Sequence, residues 1–418
     1  MSKFQISGGK SLNGTISVLG AKNAALKMMA AALLTTDTVT LNNVPDIRDI
    51  RTMIEILQKI GVKISFHNNT LVINAKKLSA AQPDYQLVKH MRASVVIIGP
   101  LLSRIKNVTI PMPGGCLIGS RPIDTHLHAF KDLGVIITQD QDMYNFCIDK
   151  IIGKKIILDE MSVTATENII MAAAVSTGTT EVRLAASEPE IEDLIKLLNS
   201  MGARIQGAGT SKLLISGVKK LHGAKHEVLP DRIEAGTFAI AAAVSRGDVR
   251  IKGIIPEHLD PILQKFDQAN VKYEIEKNSI LHIKPTTLIK PISFDTRPHP
   301  GFPTDLQAPM AVLLTQANGT SKIFETMYEG RFGYMSELTK MGANIKSLDA
   351  HTIIITGPTP LYGKGITTFD IRAGATLIIA ALIARGESII DRVELVDRGY
   401  EQIEKRLQKL GANIKRLE

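Results

Sequence analysis

Six stretches of the chain are apolar on nearly every side: "NAALKMMAAALL", "ASVVIIGPLL", "ENIIMAAAVS", "GTFAIAAAVS", "APMAVLLTQA" and "ATLIIAALIA". At helical pitch such a segment has no polar face, so each predicts a helix buried all round. Each leads into a turn and a strand, such as "GTTEVRL" or "GDVRIKG". A second, amphipathic helix follows. In the first copy Ile47, Ile50, Ile54, Leu57 and Ile60 lie three or four apart, one face of a helix. A short clause then closes each copy: "IGVKI" (60–64), "LGVII" (133–137), "MGARI" (201–205), "ANVKY" (269–273), "MGANI" (341–345) and "LGANI" (410–414). The spacings of 73, 68, 68, 72 and 69 residues mark one unit written six times. Gly61 stops the first amphipathic helix, and "VKISF" begins a strand.

The predicted fold class is α/β. One unit reads strand, buried helix, strand, amphipathic helix, then a strand hairpin. Three units make a domain with buried helices inside and sheets outside, and six make two. The stretches "LLISGVKKLHGAKHEVLPD" (213–231) and "IIITGPTPLYGKGITTFDI" (353–371) are expected as repeated hairpins, with "GPTPLYGKG" as the turn of the second. The sixth unit lacks this element, and its missing copy is "FQISGGKSLNGTISVLGAK" (4–22). The expected domains are therefore 22–229, and 1–21 joined with 230–418. The chain would cross between them near 21 and near 230, a double crossing suited to a hinge.

Composition narrows the class. The core of this 418-residue chain must be aliphatic, because 44% of it is hydrophobic and it has no Trp. The N-terminal "MSKFQISGGK" has no apolar signal region, and no run approaches a membrane span, so a cytoplasmic protein without membrane contact is expected. The two cysteines form no CxxC or zinc spacing and are expected as free thiols. Cys147 lies in the alternating strand "YNFCIDK" and is expected in the core. Cys116 lies among glycines in "PMPGGCLIGSRP", which is not a core position. His126 and His128 do not share a helix face, so no metal site is expected there. The net charge of +9 comes without a basic run, and aromatics are only 4%, which argues against a nucleic-acid platform.

The charges follow the repeat instead. Lys22, Arg92, Glu167, Arg232, Asp305 and Arg372 stand at the starts of the buried helices. Arg48, Arg121, Glu190, His258, Arg331 and Arg398 stand in the loops leading to the amphipathic ones. A cation at a helix N-terminus is unfavourable unless an anion is bound there. A polyanionic small-molecule ligand held between the domains is expected. Asp305 is an acid among these bases. It suits a general base, and Thr304-Asp305 also suits a helix cap, so position alone leaves both open.

Seven long motifs then carry a resemblance: "GAKNAALKMMAAALL", "PGGCLIGSRPID", "EPEIEDL", "FPTDLQAPMAVLL", "RFGYMSELTKMGANI", "DIRAGATLIIAALIARG" and "DRGYEQIEKRLQKLGANI". From end to end the chain resembles the enolpyruvyl transferase family, in its UDP-N-acetylglucosamine branch, which opens peptidoglycan synthesis. The resemblance implies two inside-out α/β barrels, with phosphoenolpyruvate and UDP-N-acetylglucosamine as substrates and no metal or other cofactor. It implies that Lys22, Asn23, Arg121, Arg331, Arg372 and Arg398 hold phosphoenolpyruvate. It places Asn23 and Asp305 at the reacting sugar, with Asp305 taking the 3'-hydroxyl proton. The nucleotide would meet Arg92, Arg121, Pro122, Ile123, Asp124, Thr125, Ser162, Val163 and the backbone of Met327. Cys116 would ride a lid loop, protonate the methylene carbon, form the covalent adduct with phosphoenolpyruvate, and be the target of fosfomycin. Thr164, Gly330, Gly333-Tyr334 and Glu160 depart from the common family pattern. The competing readings are the shikimate-pathway transferase, which lacks the "PGGC" lid, a silent paralogue that binds without turnover, and an RNA-binding relative.

Overall fold

In the computed structural model the described residues are 2–78, 82–112, 114 and 122–418. They fall into two compact units, one from residues 2–19 and 230–418, the other from residues between 20 and 229. Each has its own aliphatic core. The six apolar segments are all helical: Lys22–Ala31, the 3-10 turn Arg92–Ile97 running into Ile98–Ile105, Val163–Ala173, Arg232–Val244, Thr304–Thr315 and Ile371–Ile383. All thirteen residues of Arg232–Val244 are buried, whereas amphipathic Arg48–Lys59 buries only one side, including Ile50, Met53, Ile54 and Leu57. Small residues let the buried helices approach closely. At Gly99 an added Cβ would stand 2.4 Å from the Asn168 carbonyl oxygen.

The closing clauses owe their Gly to geometry. Gly61, Gly134, Gly202, Gly342 and Gly411 have φ between 90° and 105°, and Asn270 takes the same role at 62°. Left-handed backbone ends a helix and costs a residue with a Cβ extra free energy, Asn least. The chain then turns into a strand.

In one complete unit the strands Lys155–Ile157 and Thr179–Arg183 lie parallel across the Val163–Ala173 helix, with Glu181 opposite Lys155. Lys212–Ser216 and Arg204–Gln206 extend the sheet antiparallel. Ser293–Asp295, Gly319–Phe324, Thr352–Gly357 and Asn344–Ser347 repeat that order. Two units take their first strand from elsewhere in sequence. The Lys22–Ala31 helix is served by Lys225–Glu227, parallel to Thr38–Asn42, and the Arg232–Val244 helix by Asn13–Ser17, parallel to Asp248–Lys252. In a further sheet Lys3–Ser7 fills the place between Glu387–Asp391 and Asn413–Leu417.

The stretches 213–231 and 353–371 are not hairpins. Lys212–Ser216 and Lys225–Glu227 belong to different sheets, as do Thr352–Gly357 and Gly365–Thr367. Their connectors are tied down elsewhere: Val218 N–H donates to Ala174 O at 3.0 Å, and Thr35 Oγ1 donates to Leu221 O at 2.9 Å. The hairpin expected after each amphipathic helix is present in five units. Lys63–His67 pairs with Thr70–Asn74 across Asn68 and Asn69, both at positive φ, as a two-residue turn between twisted strands requires. Cys147 also departs from expectation. It is half-buried, because Tyr144 and Phe146 take the inward face of Met143–Cys147. Among the described residues no helix is long and apolar enough to cross a membrane.

Candidate functional site

Asp305 is the second residue of the Thr304–Thr315 helix, and Pro303 is the N-cap without a side-chain bond. The cap alternative therefore falls. The Asp305 carboxylate faces two guanidinium groups instead: Arg331 Nη2 donates to Oδ1, and Arg372 Nη2 donates to Oδ2 at 2.9 Å. Arg331 and Arg372 are each 6% exposed. Burial pulls both guanidinium groups down, but Asp305 and other nearby acidic groups more than offset this, so both stay above their ordinary value. The buried Nε–H of Arg331 has no hydrogen-bond partner among the described residues. An unspent donor in such a place is costly unless an acceptor arrives.

A second layer orients this trio. Arg372 Nη1 donates to the Tyr400 hydroxyl at 3.0 Å, and Tyr400 OH meets Thr237 Oγ1 at 2.9 Å. Thr237 passes its own proton to Ile233 O, so the chain of donors has one direction. Glu325, fully buried, accepts from Thr296 Oγ1, Met327 N–H and Thr304 Oγ1, each at 2.8 Å. It thus ties the start of the Asp305 helix to Met327. Sequence reasoning missed both residues. Tyr400 was readable only as a Tyr two places beyond Arg398 in "DRGYE", and Glu325 carried no signal. Arg398 closes the 3-10 turn Val393–Arg398.

In the other unit Lys22 opens its helix and lies 3.4 Å from Asp49 Oδ2, with Asn23 next to it and half-buried. Arg92 Nη2 donates to Pro122 O at 2.9 Å, just ahead of Ile123 and the Asp124–Asp132 helix, where Thr125 is buried and Asp124 exposed. Ser162 and Val163 begin the Val163–Ala173 helix. The helices that begin at Lys22, Arg92, Val163 and Thr304 have no side-chain cap, whereas Asp231 and Asp370 cap the helices of Arg232 and Arg372. Helix starts without a side-chain cap suit anionic ligands. Cys116 and Arg121 lie outside the described residues.

Glu167 is not at a helix start. It is the fifth residue of its helix and fully buried, 3.5 Å from Lys27 Nζ. Burial pushes its carboxyl up to about 8 from 4.5, against the pull of Lys27. A raised carboxyl stabilises the fold fully below the unfolded value and loses that contribution as pH rises through the folded one. Between about pH 4.5 and 8 the wild type should therefore lose stability relative to Glu167→Gln. The total loss should be a few kcal/mol, because each tenfold change in proton affinity is worth about 1.4 kcal/mol. Thermal midpoints of both proteins at pH 5 and pH 9 check this: a constant difference between them refutes it.

One group among the described residues, Glu274, Glu276 and His282, could hold a metal. It is already an ion-pair network, with Lys284 on Glu274 at 2.6 Å, Arg250 on Glu276 at 3.1 Å and His282 on Asp248 at 2.8 Å. His126 is buried against Thr164 and Asn168 while His128 is exposed beside Asp159, so the two do not converge.

Repeated α/β units with arginines gathered on a single acid define a class, and the comparisons give it a family. A family model described as EPSP synthase (3-phosphoshikimate 1-carboxyvinyltransferase) matches residues 6–407, and the chain belongs to that family. Within it, the UDP-N-acetylglucosamine 1-carboxyvinyltransferase of Acidobacterium capsulatum is 44% identical, covering 100% of this chain and 96% of its own. Those of Koribacter versatilis and Magnetococcus marinus are each 45% identical, covering 100% of this chain and 97% and 100% of their own. Among solved structures, the enolpyruvyl transferase NikO from Streptomyces tendae superposes with a TM-score of 0.90 at 24% identity, over 99% of this chain and 98% of its own. An EPSP synthase from Acinetobacter baumannii reaches 0.77 at 18%, over 100% of both chains. These two share the fold.

Proposed function

We propose that this chain transfers the enolpyruvyl group of phosphoenolpyruvate to the 3'-hydroxyl of UDP-N-acetylglucosamine, releasing phosphate, as the first committed step of peptidoglycan synthesis. The observation that carries the reading is identity of 44–45%, over the full length, to relatives named for this activity. In this mechanism Asp305 accepts the 3'-hydroxyl proton as the oxygen bonds to C2 of phosphoenolpyruvate. Cys116 gives a proton to C3, which yields a tetrahedral adduct. Loss of a proton from C3 and cleavage of the C2–O bond to phosphate then regenerate the double bond. Lys22, Arg121, Arg331, Arg372 and Arg398 offset the charge of phosphoenolpyruvate and of the adduct, an electrostatic role that is strong where water is excluded. The unspent Arg331 Nε–H supports this assignment. Asn23 orients the sugar. Arg92, Pro122 to Thr125, Ser162, Val163 and the Met327 backbone hold the nucleotide.

The test is phosphate release from phosphoenolpyruvate. It is expected only when UDP-N-acetylglucosamine is present. Release with shikimate 3-phosphate as acceptor would transfer the chain to the other branch of the family. Binding of the nucleotide sugar without release would make it a silent paralogue.

A further inference from the structure

The hydroxyl of Thr164 has its donor direction set by a buried chain of hydrogen bonds. Asn168 is fully buried, and its Oδ1 accepts the Gly99 N–H at 2.9 Å, which fixes the amide. Both protons of Nδ2 are then committed, one to Val95 O at 2.9 Å and one to His126 Nδ1 at 3.0 Å. A ring nitrogen that accepts carries no proton, so the His126 proton sits on Nε2. Burial, helped by the field of Arg92, pushes this imidazole down to about 3, and the ring is neutral at ordinary pH. Nε2–H therefore donates to Thr164 Oγ1 at 2.9 Å.

Thr164 thus accepts on its inner side, and its own proton has no acceptor among the described residues. Thr166 makes the contrast, since its hydroxyl is spent on Ser162 O at 2.8 Å. Thr164 is half-buried and directly follows Ser162 and Val163. We infer that the Thr164 hydroxyl is a specificity-determining donor to the diphosphate oxygens of the UDP-sugar, and that His126 is the positioning residue that aims it. The inference rests on the function proposed above, which sets Ser162 and Val163 against the nucleotide. Accepting from His126 uses one lone pair of the Thr164 hydroxyl and turns its single proton away from the ring. That proton suits a group rich in acceptors, such as a diphosphate.

Calorimetric titration with UDP-N-acetylglucosamine, beside steady-state kinetics, tests this. Thr164→Val keeps the volume and removes the donor. It should raise the Kd for the nucleotide sugar about 10-fold, as expected for a hydrogen bond to a charged group, and leave the KM for phosphoenolpyruvate unchanged. Thr164→Ser should bind close to wild type. His126→Gln should weaken binding in the same direction but less, and should add nothing in the Thr164→Val background, because the two act as one device. Loss of affinity for both substrates together, or failure of Thr164→Ser to rescue, overturns the inference. So does wild-type binding that Thr164→Val leaves intact, and that result leaves the functional reading standing. A wild type that binds no UDP-N-acetylglucosamine overturns both.

Discussion

Asp305→Asn is expected to lower phosphate release by roughly 10²–10⁴-fold, the usual worth of a positioned general base. The amide keeps the shape and one acceptor but cannot take the 3'-hydroxyl proton. Two effects must be separated. Arg331 and Arg372 are nearly buried and both bond this carboxylate, so the neutral amide leaves two cations poorly paired. Hydrogen bonds to charged groups contribute about 1.5–3 kcal/mol each in favourable sites. Asp305 is 26% exposed, and solvent screening reduces that figure here. A modest fall in thermal midpoint should therefore accompany a large fall in rate. If the midpoint falls and the rate stays within about tenfold of wild type, Asp305 is an anchor for its arginines and not the base.

Cys116→Ser carries the second large effect. Turnover should fall by roughly 10²-fold or more, because a hydroxyl is a far weaker acid than a thiol at a carbon that must be protonated. The variant should also form no covalent adduct with phosphoenolpyruvate and escape inactivation by fosfomycin. Intact-protein mass after incubation with each compound reads both outcomes. The chain has only one other cysteine, Cys147, which is half-buried at the end of a strand and serves as an internal control. Modification of Cys147, or alkylation that persists in Cys116→Ser, would sink the assignment.

The sixfold repeat was legible because its markers are local. A left-handed helix end demands Gly or Asn, and a helix without a polar face can only be buried, so both leave a mark in a short window. Strand partnership leaves no such mark. "HEVLPD" and "ITTFDI" alternate as strands should, yet nothing in them says that they join the next sheet rather than fold back on the strand before. Asp305 shows the same limit at the level of chemistry. "PTDL" serves equally as a cap or a base, and Arg331 and Arg372, 26 and 67 residues away, decide between them. Glu167 was misplaced by one turn because "VTATENIIM" begins its helix with polar residues, which hid where the helix starts.

The borrowed strands bear on how the chain can fold as it is made. The unit of residues 20–229 draws all its strands from one continuous stretch, and the last to arrive, Lys225–Glu227, completes a sheet begun at Thr38–Asn42. The other unit has no such option. Lys3–Ser7 pairs with Glu387–Asp391 and Asn413–Leu417, so at typical elongation speeds of about 5–20 residues per second it waits roughly 20–80 s for its neighbours to leave the ribosome. Phe4 and Ile6 end up fully buried, so during that interval an apolar strand has no sheet to join. The nascent chain must keep its own first strand from pairing with anything else, and the burden of chaperoning falls on residues that, in the finished protein, look like any other core.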